Sequence, residues 1–146
     1  MNLQENIRKV LREESQKQSA LLSSVEEDGL YQVMKDTGLS LKQIKSKIDE
    51  LPREVYERYI KDFIKQEGYH QTNGNVQLGY AVEIQKNIQI EHFYMEGDKV
   101  TVEIRGYNDY SEQTDGYIES LSNLSDEELY GITKDMIDWG ETYSEM

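Results

Sequence analysis

The chain has 146 residues, 36% hydrophobic and 10% aromatic, with eleven tyrosines, which suits one modest domain or a small domain carrying a helical extension. It has no cysteine, which excludes disulfides, thiolate metal sites and cysteine nucleophiles, and no apolar run near the roughly 20 residues that span a bilayer. The charge of −13 is uneven: residues 1–70 carry 12 basic and 13 acidic groups (net −1), whereas 71–146 carry 4 and 16 (net −12). The second half therefore repels nucleic acid and anionic membranes and attracts basic partners or cations.

The first half reads as helical. Leu3, Ile7, Val10 and Leu11 make the apolar stripe of a short amphipathic helix over 2–14. Glu14 to Ser19 is polar, a break or a solvated turn, and Leu21, Leu22 and Val25 resume the stripe. Asp28 is placed to cap a helix from Gly29 to about Thr37, and Gly38 stands where a left-handed residue ends it. Ser40 and Gln43 have the spacing of a capping box for the next helix, whose stripe is Ile44 and Ile48. Pro52 suits the first turn of another, with Val55, Tyr59, Ile60, Phe63 and Ile64 as its buried face and Gly68 as its stop.

From Val76 the period changes to two. Val76, Leu78, Tyr80, Val82 and Ile84 alternate as one half-buried strand, and after a turn at Lys86-Asn87, Ile88, Ile90, His92 and Tyr94 line a face of a second. Glu96-Gly97-Asp98 is a hairpin signal, and Val100, Val102 and Ile104 form the inner face of a third strand. The stretch 108–116 is polar and turn-rich, with a short fourth strand at 117–121. Ser125 and Glu128 form a second capping box, Leu124 and Leu129 stand at hydrophobic-staple positions, and Gly140 marks the stop of a last helix built on Leu129, Ile132, Met136 and Trp139. The expected fold is α+β: a helical region over 1–70, then an acidic antiparallel meander of three to four strands over 71–146, covered by the C-terminal helix.

Two interaction chemistries compete. Leu30 to Ile48 fits a DNA-binding helix-turn-helix pattern, with Gly38 at the bend, Leu39 after it and Ile44 six residues on. In that reading Lys42, Gln43, Lys45 and Lys47 meet phosphates or bases. Met34 in place of a small residue and Lys47 in place of a hydrophobe depart from the pattern, and a plain helical hairpin with a solvated lysine face has the same spacing. The acidic half instead offers outward carboxylates Glu83, Glu91, Glu103, Asp109, Glu112 and Asp115, with Tyr107 and Tyr110 as anchors, for a basic protein partner. Ordered carboxylates of this kind can also imitate phosphates and block a nucleic-acid-binding host protein.

Catalytic and metal signals are weaker. His70 and His92 lie in different elements without a zinc spacing, and the oxygen-rich loop 108–116 misses the calcium-loop offsets in every register. There is no Gly-x-x-x-x-Gly-Lys phosphate loop and no Gly-x-Ser-x-Gly elbow. The expectation is a non-enzymatic protein without cofactor or metal.

Leu11-Arg12-Glu13, in the last turn of the first helix, resembles the Leu/Ile-x-Glu cleavage signal of tailed-phage prohead proteases. With the opening Asn-Leu-Gln-Glu-Asn-Ile-Arg-Lys-Val-Leu-Arg-Glu-Glu, the Leu-Pro-Arg-Glu-Val segment at 51–55 and the acidic tyrosine-rich meander, the chain is similar in style to small proteins of T4-like tailed phages. That resemblance implies a phage accessory or virion-packaged protein, cytoplasmic in the host cell or virion-associated, and names no activity. The N-terminus lacks a secretory signal pattern, so secretion and membrane insertion are not expected.

Overall fold

The structure, a computed structural model, describes residues 20–144. The expected helix at 2–14 and the Leu11-Arg12-Glu13 signal lie outside the described residues. The chain divides into two compact units, the first ending at Val55 and the second beginning at Tyr56.

In the first unit, residues 20–28 form α1, followed by α2 (Leu30–Thr37) and α3 (Leu41–Lys47). Val25, Leu30, Val33, Leu41, Ile44 and Ile48 are buried, at the helical spacing that the apolar stripes require. Gly38 adopts the left-handed conformation (φ 73°) and its N–H reaches the Met34 carbonyl, closing α2. The Ser40 hydroxyl accepts the Gln43 N–H, and the Gln43 side chain accepts the Ser40 N–H, so the expected capping box forms. Asp28 is not a cap. It lies inside α1, where its backbone is helical, and Gly29 at φ 90° takes the N-cap position of α2 with no side-chain hydrogen bond.

Helix α4 (Arg53–Glu67) begins directly after Pro52, and its residues from Tyr56 belong to the second unit. An antiparallel sheet follows, with strands β1 (Tyr69–His70), β2 (Asn75–Gln77), β3 (Val82–Gln85), β4 (Ile88–Glu96), β5 (Lys99–Tyr107) and β6 (Gln113–Ser120). A 3₁₀ turn at Leu121–Asn123 leads to α5 (Asp126–Ser144). The architecture is α+β, with six strands rather than three to four.

One of the two extra strands, and the shifts within β4 and β6, have local causes. The single strand expected over 76–84 is broken at Gly79, which takes φ 81°, and the two pieces pair with different stretches of β4: Val76 with Phe93, Val82 with Ile90. In β4 a bulge between Ile90 and His92 switches faces, so His92 and Tyr94 do not continue the apolar row of Ile88 and Ile90 and Phe93 takes the core position instead. β6 starts at Gln113, so the hairpin loop after β5 is shorter than the turn-rich stretch 108–116.

Ile90, Phe93, Val100, Val102 and Ile104 are buried on one face of the sheet, and Leu129, Ile132 and Met136 are fully buried on α5. Helix α5 packs along β3. Its start carries the expected capping box, Ser125 Oγ accepting from the Glu128 N–H at 3.1 Å and Glu128 Oε1 accepting from the Ser125 N–H at 3.0 Å. Gly140 does not stop it; the helix runs on to Ser144, since one interior glycine costs only about 1 kcal/mol. Aromatic side chains tie α4, α5 and the β2–β3 connection together. Tyr80 stacks on Trp139 at 4.6 Å, and Phe63 and Tyr56 meet Trp139 and Tyr130 edge-on at 6.2 and 5.5 Å.

Two contacts set how close α5 comes to β3. A Cβ on Gly131 would stand 2.5 Å from the backbone oxygen of Ile84, and the Asp135 carboxylate accepts the Glu83 N–H at 2.9 Å. Burial, with the nearby Glu83 and Asp138 carboxylates, pushes the Asp135 carboxyl above its usual range against the opposing effect of that hydrogen bond. Gly131→Ala should lower stability by about 2 kcal/mol, since the obstacle is backbone and cannot swing aside. Gly140→Ala, with nothing within 4 Å, should leave stability unchanged or raise it by under about 1 kcal/mol. Thermal denaturation of the two variants checks the contrast, and equal effects would contradict it.

Candidate functional site

The acidic residues singled out in the sequence separate into three places. Register puts Glu83 opposite Gln89, Gln89 opposite Arg105, and Glu103 opposite His92. These residues, with Tyr94, line the solvent-side face of the sheet, because their neighbours in sequence fill the core face. Glu91, the extra residue of the β4 bulge, accepts hydrogen bonds there from the Tyr107 hydroxyl and from Gln89 Nε2. Asp109, Tyr110 and Glu112 belong to the β5–β6 loop. Asp115 is opposite Gly106, on the core-side face.

Few of these carboxylates are loose charges. Arg105 donates through Nε and Nη2 to Glu103 Oε1 at 3.0 and 2.6 Å, and Tyr94 donates to Glu103 Oε2 at 3.5 Å. Glu103 is thus a compensated charge inside a polar network, and the guanidinium proton is held more tightly mainly because of that hydrogen bond. The hydroxyl of Tyr107 holds the Glu91 carboxyl below its usual range, partly opposed by burial. Asp109 accepts from Asn87 Nδ2 at 3.1 Å, and Glu112 from Asn108 Nδ2 at 3.4 Å.

Asn108 organises the loop. Its Oδ1 accepts the N–H groups of Tyr110 and Glu112, both at 2.9 Å, and its own N–H donates to the Glu112 carbonyl. Ser111 takes a left-handed φ of 63° to complete the turn. The Tyr110 side chain, 85% exposed, is presented at the tip of this internally bonded loop. Asn108 and Arg105 were not among the residues expected from sequence. An asparagine heading a polar loop is a legible turn signal, and Glu103 and Arg105, two residues apart beside the alternating Val100, Val102 and Ile104, share the outward face of one strand.

On the core-side face, beyond the buried row, lies an open depression of about 370 Å³ lined by Ile88, Ile104, Gly106, Thr114, Asp115 and Tyr117. Burial and then the carboxylates Glu128, Glu119 and Asp115 push the Tyr117 hydroxyl above its usual range.

In the first unit, Lys42 and Lys47 are exposed on α3 and Lys45 is half-buried. The side chain of Gln43 is engaged in the capping box, which occupies the oxygen that a base contact would need. His70 is exposed with Nε2 3.3 Å from the Lys65 carbonyl, and His92 is half-buried beside Tyr94, with ring centroids 6.2 Å apart. Among the described residues no group of three or more His, Asp or Glu side chains is arranged to hold a metal ion, and no helix is long and apolar enough to cross a membrane. Comparison with protein-family models, curated proteins and solved structures returned no match.

The Tyr107–Glu91 hydrogen bond has a pH signature. Because the folded carboxyl titrates below its ordinary 4.5, its contribution is present above that value and is lost as pH falls through the folded one. Tyr107→Phe should move the Glu91 titration upward, read by carboxyl NMR. It should also cost under about 1 kcal/mol at neutral pH, since the pair is open to solvent screening. An unmoved titration would show that the hydroxyl does not hold Glu91.

Proposed function

We propose that this chain is a non-enzymatic interaction protein that captures a basic partner at the acidic, tyrosine-bearing end of its meander. The observation that carries this reading is the loop 108–112, where Asn108 fixes the backbone and presents Tyr110 between Asp109 and Glu112. A pre-organised, exposed aromatic flanked by charge loses little entropy when a partner covers it, and tyrosine is enriched at binding hot spots. The surplus of carboxylates in 71–146 supports a cationic partner and speeds its encounter. A phage accessory or virion-packaged role is the setting implied by the resemblance in style, over most of the chain, to small proteins of tailed phages.

A second reading, DNA binding through α3, is favoured by the exposed Lys42 and Lys47 beside a glycine-bent helix pair. It is weakened by the seven-residue length of α3 and the engagement of Gln43.

Fluorescence anisotropy with a labelled lysine-rich peptide and with a labelled DNA duplex separates the two. The peptide should bind, more weakly as salt rises, and D109N/E112Q should reduce its affinity by about three- to tenfold without unfolding the chain. Failure of every basic probe at low salt, or affinity untouched by D109N/E112Q, would overturn the proposal. Duplex binding that disappears in K42A/K45A would replace it with the second reading.

A further inference from the structure

The sheet's edges are treated very differently. β3 is closed by α5 through the Asp135–Glu83 hydrogen bond, and β1 is only two residues long. β6 is eight residues long, pairs with β5 on one side, and is exposed from Gln113 to Ile118. It contains no Lys, Arg or Pro, the residues that commonly blunt an open edge.

The direction of its main-chain groups follows from two observations. The Tyr107 N–H donates to the Asn87 carbonyl, on the β4 side of β5, so alternation turns the main-chain groups of Val102, Ile104 and Gly106 toward β6. Their register partners Glu119, Tyr117 and Asp115 therefore point into the ladder, and Gly116, Ile118 and Ser120 point away from it. Independently, the Gly116 N–H is accepted by Asp115 Oδ1 at 2.8 Å and the Ser120 N–H by Glu119 Oε1 at 2.9 Å. Two carboxylates thus fold back to cap the outward donors, and the Ile118 N–H lies between them. Ile118 is 64% exposed on one face of the strand, and Tyr117 is 48% exposed on the other, beside the depression.

We propose that β6 is the docking edge for an extended basic segment of the partner, which adds to the sheet as a further strand. This rests on the basic-partner reading above and specifies how that partner is held. Carbonyls of the incoming strand take the outward N–H groups of Gly116, Ile118 and Ser120. Asp115 and Glu119, released from capping, pair with its Lys or Arg side chains. Apolar side chains at alternate positions cover Ile118 on one face, and the aliphatic stem of a lysine between them lies over Tyr117 on the other. Charge selects this occupant over a second copy of the chain, which would set the Asp115 and Glu119 carboxylates of one strand against those of another.

The test uses the full chain and a labelled eight-residue peptide alternating lysine with valine and threonine, in three forms: unmodified, N-methylated at odd backbone positions, and N-methylated at even ones. Strand addition predicts that one methylated form binds about tenfold more weakly or worse while the other binds like the parent, because only one edge of the peptide faces β6. Ile118→Pro removes an outward N–H without touching the β5 ladder, and should weaken the unmodified peptide to the same extent with circular dichroism unchanged. If the unmodified peptide binds but methylation at either set and Ile118→Pro make no difference, the strand proposal fails and the basic-partner reading stands. If no form binds, both fail. Peptide-insensitive dimerisation of the chain, lost in Ile118→Pro, would assign the edge to a second copy and overturn the proposal.

Discussion

The seating of α5 against β3 is the constraint from which the second unit's surfaces follow. Gly131 permits the helix to approach until no side-chain atom fits between it and the Ile84 carbonyl, and one turn further on Asp135 accepts the main-chain N–H of Glu83. A helix this close buries Leu129, Ile132 and Met136 and also closes a sheet edge. With that side occupied, the eight-residue β6 and the loop before it are left as the exposed end of the meander.

The acidic surplus is better described as a set of assigned acceptors than as a cloud of charge. Asp135 holds a strand edge, Glu91 and Glu103 hold tyrosine, glutamine and arginine on the outer face, and Asp115 and Glu119 cover their own strand's N–H groups. Such short-range roles coexist with attraction for cations, because a carboxylate with two oxygens can accept from within and still face solvent. They differ in what a partner would displace. Arg105 holds one Glu103 oxygen through two donors, whereas a cap from a carboxylate to the next residue's N–H is a single local bond that an incoming carbonyl can replace.

Much of the fold was legible because it rests on local chemistry. Ser40 with Gln43 and Ser125 with Glu128 cap helices wherever the chain lies, Gly38 ends α2, and the alternation from Val100 to Ile104 assigns its face correctly. Errors arose where a local signal had two outcomes. Gly79 within an alternating run is compatible with a strand or with a break, and only the pairing of both pieces to β4 decides. Gly140 reads as a stop yet sits in open space inside a helix, while Gly131, four residues before Asp135, has no sequence signature of its contact with Ile84. The site was legible as composition and not as geometry. Eight residues were singled out, but the bulge at Glu91 decides which share a face, whereas the Arg105 countercharge two residues from Glu103 on one strand and the Asn108 turn are local features that a closer reading of the sequence could reach.

Amide hydrogen exchange on the free chain at low concentration tests most directly the claim that α5 closes one edge of the sheet and leaves β6 open. The account predicts a protected Glu83 amide, held by Asp135, and within β6 an alternation in which Tyr117 and Glu119 are slow and Ile118 is fast. A fast Glu83 amide, or an Ile118 amide as protected as that of Tyr117, would contradict it.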